Sequence, residues 1–309
     1  MTDSPWHAGE RAVHDRLGER ALADRMHIGN EMSDAADEFL QQQTIVYASA
    51  LVGADVWVTP LTGDPGFARG SGDEEEVTVD SRPPAGDPLA TALAGVTRVG
   101  MLALEPATRR RIRLNGVSTP AADGIVIALD QLYGNCPRFI QKRTPGRPNL
   151  GARTSAPVLS PSLTARQVHL LESADTFVIG TADRDGNADA SHRGGSPGFV
   201  QVVDPAHFRF PDYAGNHMYM TLGNLEVRPS AGFLFVDWET GATVQVTGAV
   251  VVDFDIARAD ALFPDAARTV DVTVTSVVET AGRLPGSWTA PEYSRFNPPA
   301  RTTPMEPSR

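Results

Sequence analysis

Ser191, His192 and Arg193 stand in consecutive positions and run straight into Gly194, Gly195 and Ser196, within residues 187–199 (NADASHRGGSPGF). A hydroxyl, an imidazole and a guanidinium side by side suit an anion, phosphate above all. Charge-assisted hydrogen bonds from Arg193 and Ser191 would contribute on the order of 1.5–3 kcal/mol each. The two glycines would let a ligand approach the backbone. His192 is the best-placed acid–base group, or else a hydrogen-bond donor to a cofactor. The only cysteine, Cys136, lies in YGNCP. It excludes an intrachain disulfide. It is either a small buried hydrophobe or, given a neighbouring base or helix N-terminus, a catalytic thiol. A second cationic cluster is Arg109, Arg110, Arg111 and Arg113. Strand alternation puts Arg111 and Arg113 on one face.

These residues need strands to hold them, and the pattern supplies them. Short β-branched or alternating runs occur at 45–50, 56–59, 77–80, 99–104, 111–117 and 125–129. They resume at 176–182, 199–203, 208–210, 231–237, 242–253 and 270–278. Helical spacing marks residues 8–32, then 34–42 behind a Ser33 cap, a short helix at 87–94 (DPLATALA), and a helix opening at Ser162. His7 and His14 read as an exposed pair on the first helix rather than as metal ligands. Residues 143–161 hold four prolines and read as a linker. Residues 281–309 read as an extended tail. The expected domains are therefore 1–142, a linker at 143–161, 162–280 with the ligand site, and the tail.

Shifting the chain by 132 residues superposes 45–116 on 177–248 without a gap. Twelve of the 72 positions are identical, among them Pro65-Gly66-Phe67 with Pro197-Gly198-Phe199, Asp80 with Asp212, Gly100 with Gly232 and Gly116 with Gly248. Elements recur in one order, so the chain reads as one duplicated unit. Each copy is expected to be a mainly β, largely antiparallel sheet with local helices, best protected by closing into a small barrel. Two such units would pack as a pseudo-dimer with ligands at the seam. Thr59–Gly63 would be the emptied counterpart of the polar strand. Arg111 or Arg113 would reach across to the retained site.

The series TADRDGNADAS, SHRGG, PGF, HFRFPDYAGN, LGNLEVRPSAGFLFVDW and ATVQVTG, with YGNCPRFIQKR before it, resembles the pyridoxamine 5'-phosphate oxidase-like, flavin-binding split-barrel superfamily, in its bacterial double-copy branch. The resemblance implies two tandem split β-barrels and FMN held between them. Ser191–Ser196 match the strand that contacts the flavin and its phosphate. Asp212, Tyr213, Asn216, His217 and Met218 match the next contact segment. Thr243 matches a position usually filled by a glutamine that faces the flavin, and Gln245 lies two residues on. Ser196 stands where the family has a basic residue, and Asn216-His217-Met218 replace its Ser-Arg-Lys cluster. Nothing recognisable would hold pyridoxal phosphate. Relatives on this fold also use deazaflavin F420 or haem, for which His192, His207 or His217 would be ligands.

The formal net charge of −11 disfavours nucleic-acid and anionic-membrane partners. No apolar run approaches the roughly 20 residues of a membrane span. The first residues lack a basic start and an apolar core, so no signal peptide and a cytoplasmic setting are expected. No P-loop, strand-linked GxGxxG, Cys/His metal pattern or hydrolase elbow occurs. The expectation is an FMN-dependent oxidoreductase acting on a small organic substrate, with electrons from a separate donor. A non-enzymatic flavin-binding module is the other reading, and the tandem build is compatible with a further homodimer.

Overall fold

The computed structural model describes residues 6–26, 28–71, 75–134, 136–146, 154–284 and 286–299. The first half begins with α1 (Ala8–Leu17), α2 (Arg20–Ala23) and α3 (Asp34–Gln41). Seven strands follow: β1 (Ile45–Val52), β2 (Asp55–Thr62), β3 (Ala68–Gly70), β4 (Glu76–Val79), β5 (Thr97–Glu105), β6 (Arg110–Pro120) and β7 (Ile125–Gly134). The second half contains β8 (Val158–Ser160), α4 (Ala165–Ser173), β9 (Thr176–Ala182), β10 (Ala188–Gly194), β11 (Gln201–Asp204), β12 (His207–Tyr213) and α5 (Met220–Val227). It ends with β13 (Ser230–Val236), β14 (Thr243–Asp253), α6 (Ile256–Leu262) and β15 (Ala266–Thr280). Among the described residues no helix is long and apolar enough to cross a membrane.

The two sheets are copies. One runs β2-β1-β5-β6-β7-β4-β3 and the other β10-β9-β13-β14-β15-β12-β11, with β8 added on β15. Each strand of the first order has its counterpart one repeat later in the second. The mainly β, duplicated architecture expected from the 132-residue offset is thus present. Each half buries its own core, the second built on Phe177, Phe199, Phe208, Phe210, Phe233 and Phe235. A third cluster lies across the seam, joining Tyr47, Val58 and Leu102 to Val178, Ala190 and Leu234.

The packing of the halves is reciprocal. β2 lies on β9, β13 and β14, and β10 lies on β1, β5 and β6. Two repeat-equivalent glycines make this approach possible. A Cβ at Gly100 would strike the backbone of Asp189, and one at Gly232 the backbone of Val56 and Trp57. The repeated Pro-Gly-Phe is also structural. Gly66 and Gly198 take φ of +94° and +88°, a conformation open to glycine. Each turn folds Phe67 or Phe199 back over Gly63 or Gly195.

Four local expectations are corrected. Residues 88–95 form tandem turns rather than a helix. Asp87 accepts from Leu89 N at 2.9 Å and from Thr59 Oγ1 at 2.5 Å, which anchors the segment to β2 instead of leaving it to cap a helix. The helix after the linker is capped by Thr164, in a capping box with Gln167, not by Ser162. The linker is partly built in: Val158–Ser160 pairs with β15, and buried Arg143 donates to Asp175 at 2.6 Å. His7 and His14 are not an exposed pair. His7 is the N-cap of α1, and His14 is buried.

Helix α1 closes over α5. At Gly9 a Cβ would run into Gly223 O, and at Gly223 into Glu10. Glu10 is thereby buried, its Oε2 accepting from His7 N at 2.9 Å. Burial, with Asp189 and Asp183 adding repulsion, pushes its carboxyl up to about 8. The group keeps a proton in the folded chain that the unfolded chain loses above 4.5. Its contribution is full below 4.5 and is lost as pH rises to about 8. Denaturant unfolding across that window should show falling stability, and Glu10→Gln should flatten the fall. Gly100→Ala should destabilise by roughly 1–3 kcal/mol, measured in the same way, because β5 cannot retreat from Asp189 without opening the seam.

Candidate functional site

Where β10 of the second half crosses β6 of the first, three guanidiniums converge. Arg113 is buried. Its Nη1 donates to Asp189 Oδ1 and Oδ2 at 3.3 and 3.1 Å, and its Nη2 donates to Ser191 Oγ. Tyr133 adds its hydroxyl to Asp189 Oδ1 at 3.1 Å. Arg193 Nη1 donates to Asp212 Oδ1 at 2.5 Å, and Arg268 Nε takes Asp212 Oδ2 at 2.7 Å. Arg111 has no carboxylate among the described residues. Its Nη1 donates to His192 Nδ1 at 2.9 Å.

The electrostatics follow from that shortage of carboxylates. Burial first, then Arg113 and Arg193, push the Arg111 guanidinium down to about 9. Burial and Arg111 hold His192 well below its ordinary value, so its imidazole is neutral. Because Nδ1 accepts from Arg111, the ring proton sits on Nε2, which is buried without a partner. The Nε groups of Arg111 and Arg193 are likewise buried and unpartnered. Helix α5 starts at the same cleft, with Met220, Thr221 and Leu222 in the wall, and its N-cap, Tyr219, makes no side-chain capping bond. The preceding residues are held in a conformation side chains seldom adopt, with φ of 60° at His217 and 53° at Tyr219. Helix α1 and the turn after it clamp them. His14 Nε2 donates to His217 O at 3.0 Å, His217 Nδ1 meets Glu19 at 2.8 Å, and Tyr219 OH donates to Glu19 at 2.9 Å.

The cleft collects Arg111, Arg113, Cys136, Ser191, His192, Arg193, Gly194, Asn216, His217 and Met218, with Arg138 and Tyr213. Its enclosed part is about 80 Å3. It adjoins an open groove of about 670 Å3, lined by Met26, Ile28, Leu132 and Tyr133, which shares Asn216 and Met218.

Four expected residues lie elsewhere. Gly195 is covered by Phe199, and its carbonyl accepts from Gln141 at 3.1 Å. Ser196 faces Pro298. Even Gly194, though in the cleft wall, has its open side taken by Phe139 O. The glycines therefore serve close packing rather than ligand approach. Thr243 and Gln245 lie on β14, which meets β2 in the opposite seam. There Gln245 Nε2 donates to Val58 O at 2.9 Å, and Thr59 bonds Asp87. That seam is filled by the tail, with Arg283 donating to Pro60 O and Leu284 buried. Each half lends its sixth strand to the other's site, so Arg111, the repeat-equivalent of Thr243, occupies this cleft. Asp189 alternates with Ser191 and Arg193 and was legible as part of the strand. Glu19 and Arg268 carry no local signal, and Tyr133 opens the YGNCPRFIQKR run without a role assigned to it.

Asp189→Asn would leave the Arg113 guanidinium buried without its counter-charge. The expected loss is about 3–5 kcal/mol of stability in denaturant unfolding. A loss below about 1 kcal/mol would mean that Arg113 finds solvent.

Residues 163–271 match the family model of pyridoxamine 5'-phosphate oxidase. Similar solved structures include a pyridoxamine 5'-phosphate oxidase candidate from Lactobacillus delbrueckii, 22% identical over 38% of this chain and 94% of that one, TM-score 0.32. HupZ from Group A Streptococcus is 13% identical over 37% of this chain and 92% of that one, TM-score 0.31. An FMN-binding protein from Syntrophomonas wolfei is 8% identical over 37% of this chain and 84% of that one, TM-score 0.30. No curated protein matches the chain. The matched segment runs from the residue before the Thr164 cap into β15, so it is the second half of the chain that resembles the pyridoxamine 5'-phosphate oxidase family model.

Proposed function

We propose that the chain binds FMN at the β6–β10 seam and acts as a flavin-dependent oxidoreductase on a small organic substrate. The observation that carries this reading is Arg111, a half-buried guanidinium whose Nε is buried without a partner and which has no carboxylate among the described residues. A cation with a buried, unpaired donor is costly alone and is satisfied by an anion. The narrow part of the cleft suits a phosphate, with Arg111 and Arg193 as charged donors and the uncapped start of α5 beside them. The adjoining groove has room for the rest of the cofactor. Bound FMN would supply the redox centre, while the protein binds and orients it.

Within that arrangement His192 Nε2–H is a fixed neutral donor. Arg111 holds its tautomer, and burial keeps it from taking a second proton. The same tautomer argues against His192 as a haem ligand, since a metal would need the Nε2 lone pair. His207 is exposed and paired with Asp204, and His217 with Glu19. Cys136 lies in the cleft wall together with Arg111. The substrate would be a small molecule, and reducing equivalents would come from a separate donor.

Arg111→Met tests the reading. After reconstitution with FMN the wild-type chain should show flavin bands in its visible spectrum. The variant should retain at least about tenfold less, while its flavin-free form is more stable by roughly 1 kcal/mol because an unpaired charge is gone. Equal flavin occupancy in both proteins would overturn it, and a Soret band after exposure to haem would favour the haem reading.

A further inference from the structure

Behind Asp189, on the side away from Arg113, lies a second cavity of about 270 Å3, enclosed by α1, α5, β6, β7 and the β9–β10 turn. Its polar wall includes Glu10, Asn115, Asp183, Asp189, Asn224 and the neutral His7, whose Nε2–H is buried without a partner, and no lysine or arginine lines it. We propose that this cavity is a binding site for a small primary ammonium compound, distinct from the cationic cleft.

Two independent observations converge on that ligand. The first is an unsatisfied acceptor. Asn115 is 7% exposed and spends its amide NH2 on Gln131 Oε1 at 3.0 Å and Asp189 Oδ1 at 3.4 Å. Its Oδ1 is buried in the cavity wall with no partner. A group of this kind asks for a donor, and an uncompensated one costs on the order of 1–3 kcal/mol. The second is an excess of carboxylates. Asp189 is neutralised by Arg113, but Asp183 has no cationic partner among the described residues. Its carboxylate oxygens bond, among the described residues, Asp185 N, Asn187 N and Asn187 Nδ2, while its backbone carbonyl accepts from Arg228 Nε. Glu10, 2% exposed, is held protonated partly by Asp183 and Asp189. An ammonium group brings three donors and one positive charge, which answers both deficits at once. A neutral polyol of the same size brings hydroxyls to Asn115 and His7 but no charge to Asp183.

The site adjoins the cleft through Met220, which lines both, and through Asp189, whose carboxylate faces Arg113 on one side and this cavity on the other. The proposal does not rest on flavin binding, and its test uses the flavin-free full chain. Isothermal titration with ethanolammonium chloride should give saturable one-to-one binding, while ethylene glycol should give none. Glu10→Gln and Asn115→Leu should each weaken binding at least about tenfold. Glutamine at position 10 preserves the capping box, so the first variant keeps the α1 start. Absence of saturable heat from wild type, equal binding of ethylene glycol, or wild-type affinity in both variants would overturn the proposal and leave a cavity filled by water.

Discussion

The pair Arg113–Asp189 is the interaction on which the seam depends. It joins β6 of one half to β10 of the other through two buried side chains, and Tyr133 and Ser191 complete their hydrogen bonds. A buried ion pair is tolerable only when its remaining donors and acceptors are filled, and here they come from both halves. The halves cannot slide without exposing one charge to an apolar wall. The pair also decides what is left over. Asp189 is consumed by Arg113, and Asp212 is shared by Arg193 and Arg268, so Arg111 has only a neutral histidine to donate to. An unpaired cation is thus a consequence of the way the seam is satisfied.

Duplication explains why this happens once. The reciprocal packing creates two equivalent seams. In the other, Thr59, Pro60 and Leu61 replace Ser191, His192 and Arg193, while Thr243 and Gln245 replace Arg111 and Arg113. Without cations to hold apart, that seam is closed by the C-terminal segment. Arg283 reaches Pro60 O and Leu284 joins the apolar cluster between the halves. Ile140, in the segment after β7, belongs to the same cluster. One ancestral arrangement has therefore become an open polar cleft on one side and a plug on the other.

The repeat made the fold legible. Identical residues at Gly100 and Gly232 mark places where strands of opposite halves touch, and the repeated Pro-Gly-Phe marks a turn with a ring folded over a glycine. The same signal misled where function was concerned. Gly194 and Gly195 read as room for a ligand, and their open faces are taken by Phe139 O and the Phe199 ring. The resemblance matches Thr243 to a flavin-facing position, with Gln245 two residues on. They serve the opposite seam, because each site is built from two halves. A linear alignment of copies shows which positions correspond but not which copy supplies each wall.

Sequence by itself determined the duplicated antiparallel unit, the order of its strands, and the polar strand Ser191–Arg193 with Arg111 and Arg113 as cross-seam partners. Those features follow from period-two alternation and a fixed offset, both of which are local or repetitive. Tertiary structure alone decided which charges are neutralised. Asp189 and Asp212 lie 76 residues from Arg113 and 56 from Arg268, and Glu19 and His14 come from the far N-terminus to clamp residues 217–219. The charge left on Arg111 is the remainder after all those long-range pairings are made. No stretch of sequence contains that remainder, because ion pairing at the seam depends on distances set only when the two halves close on each other.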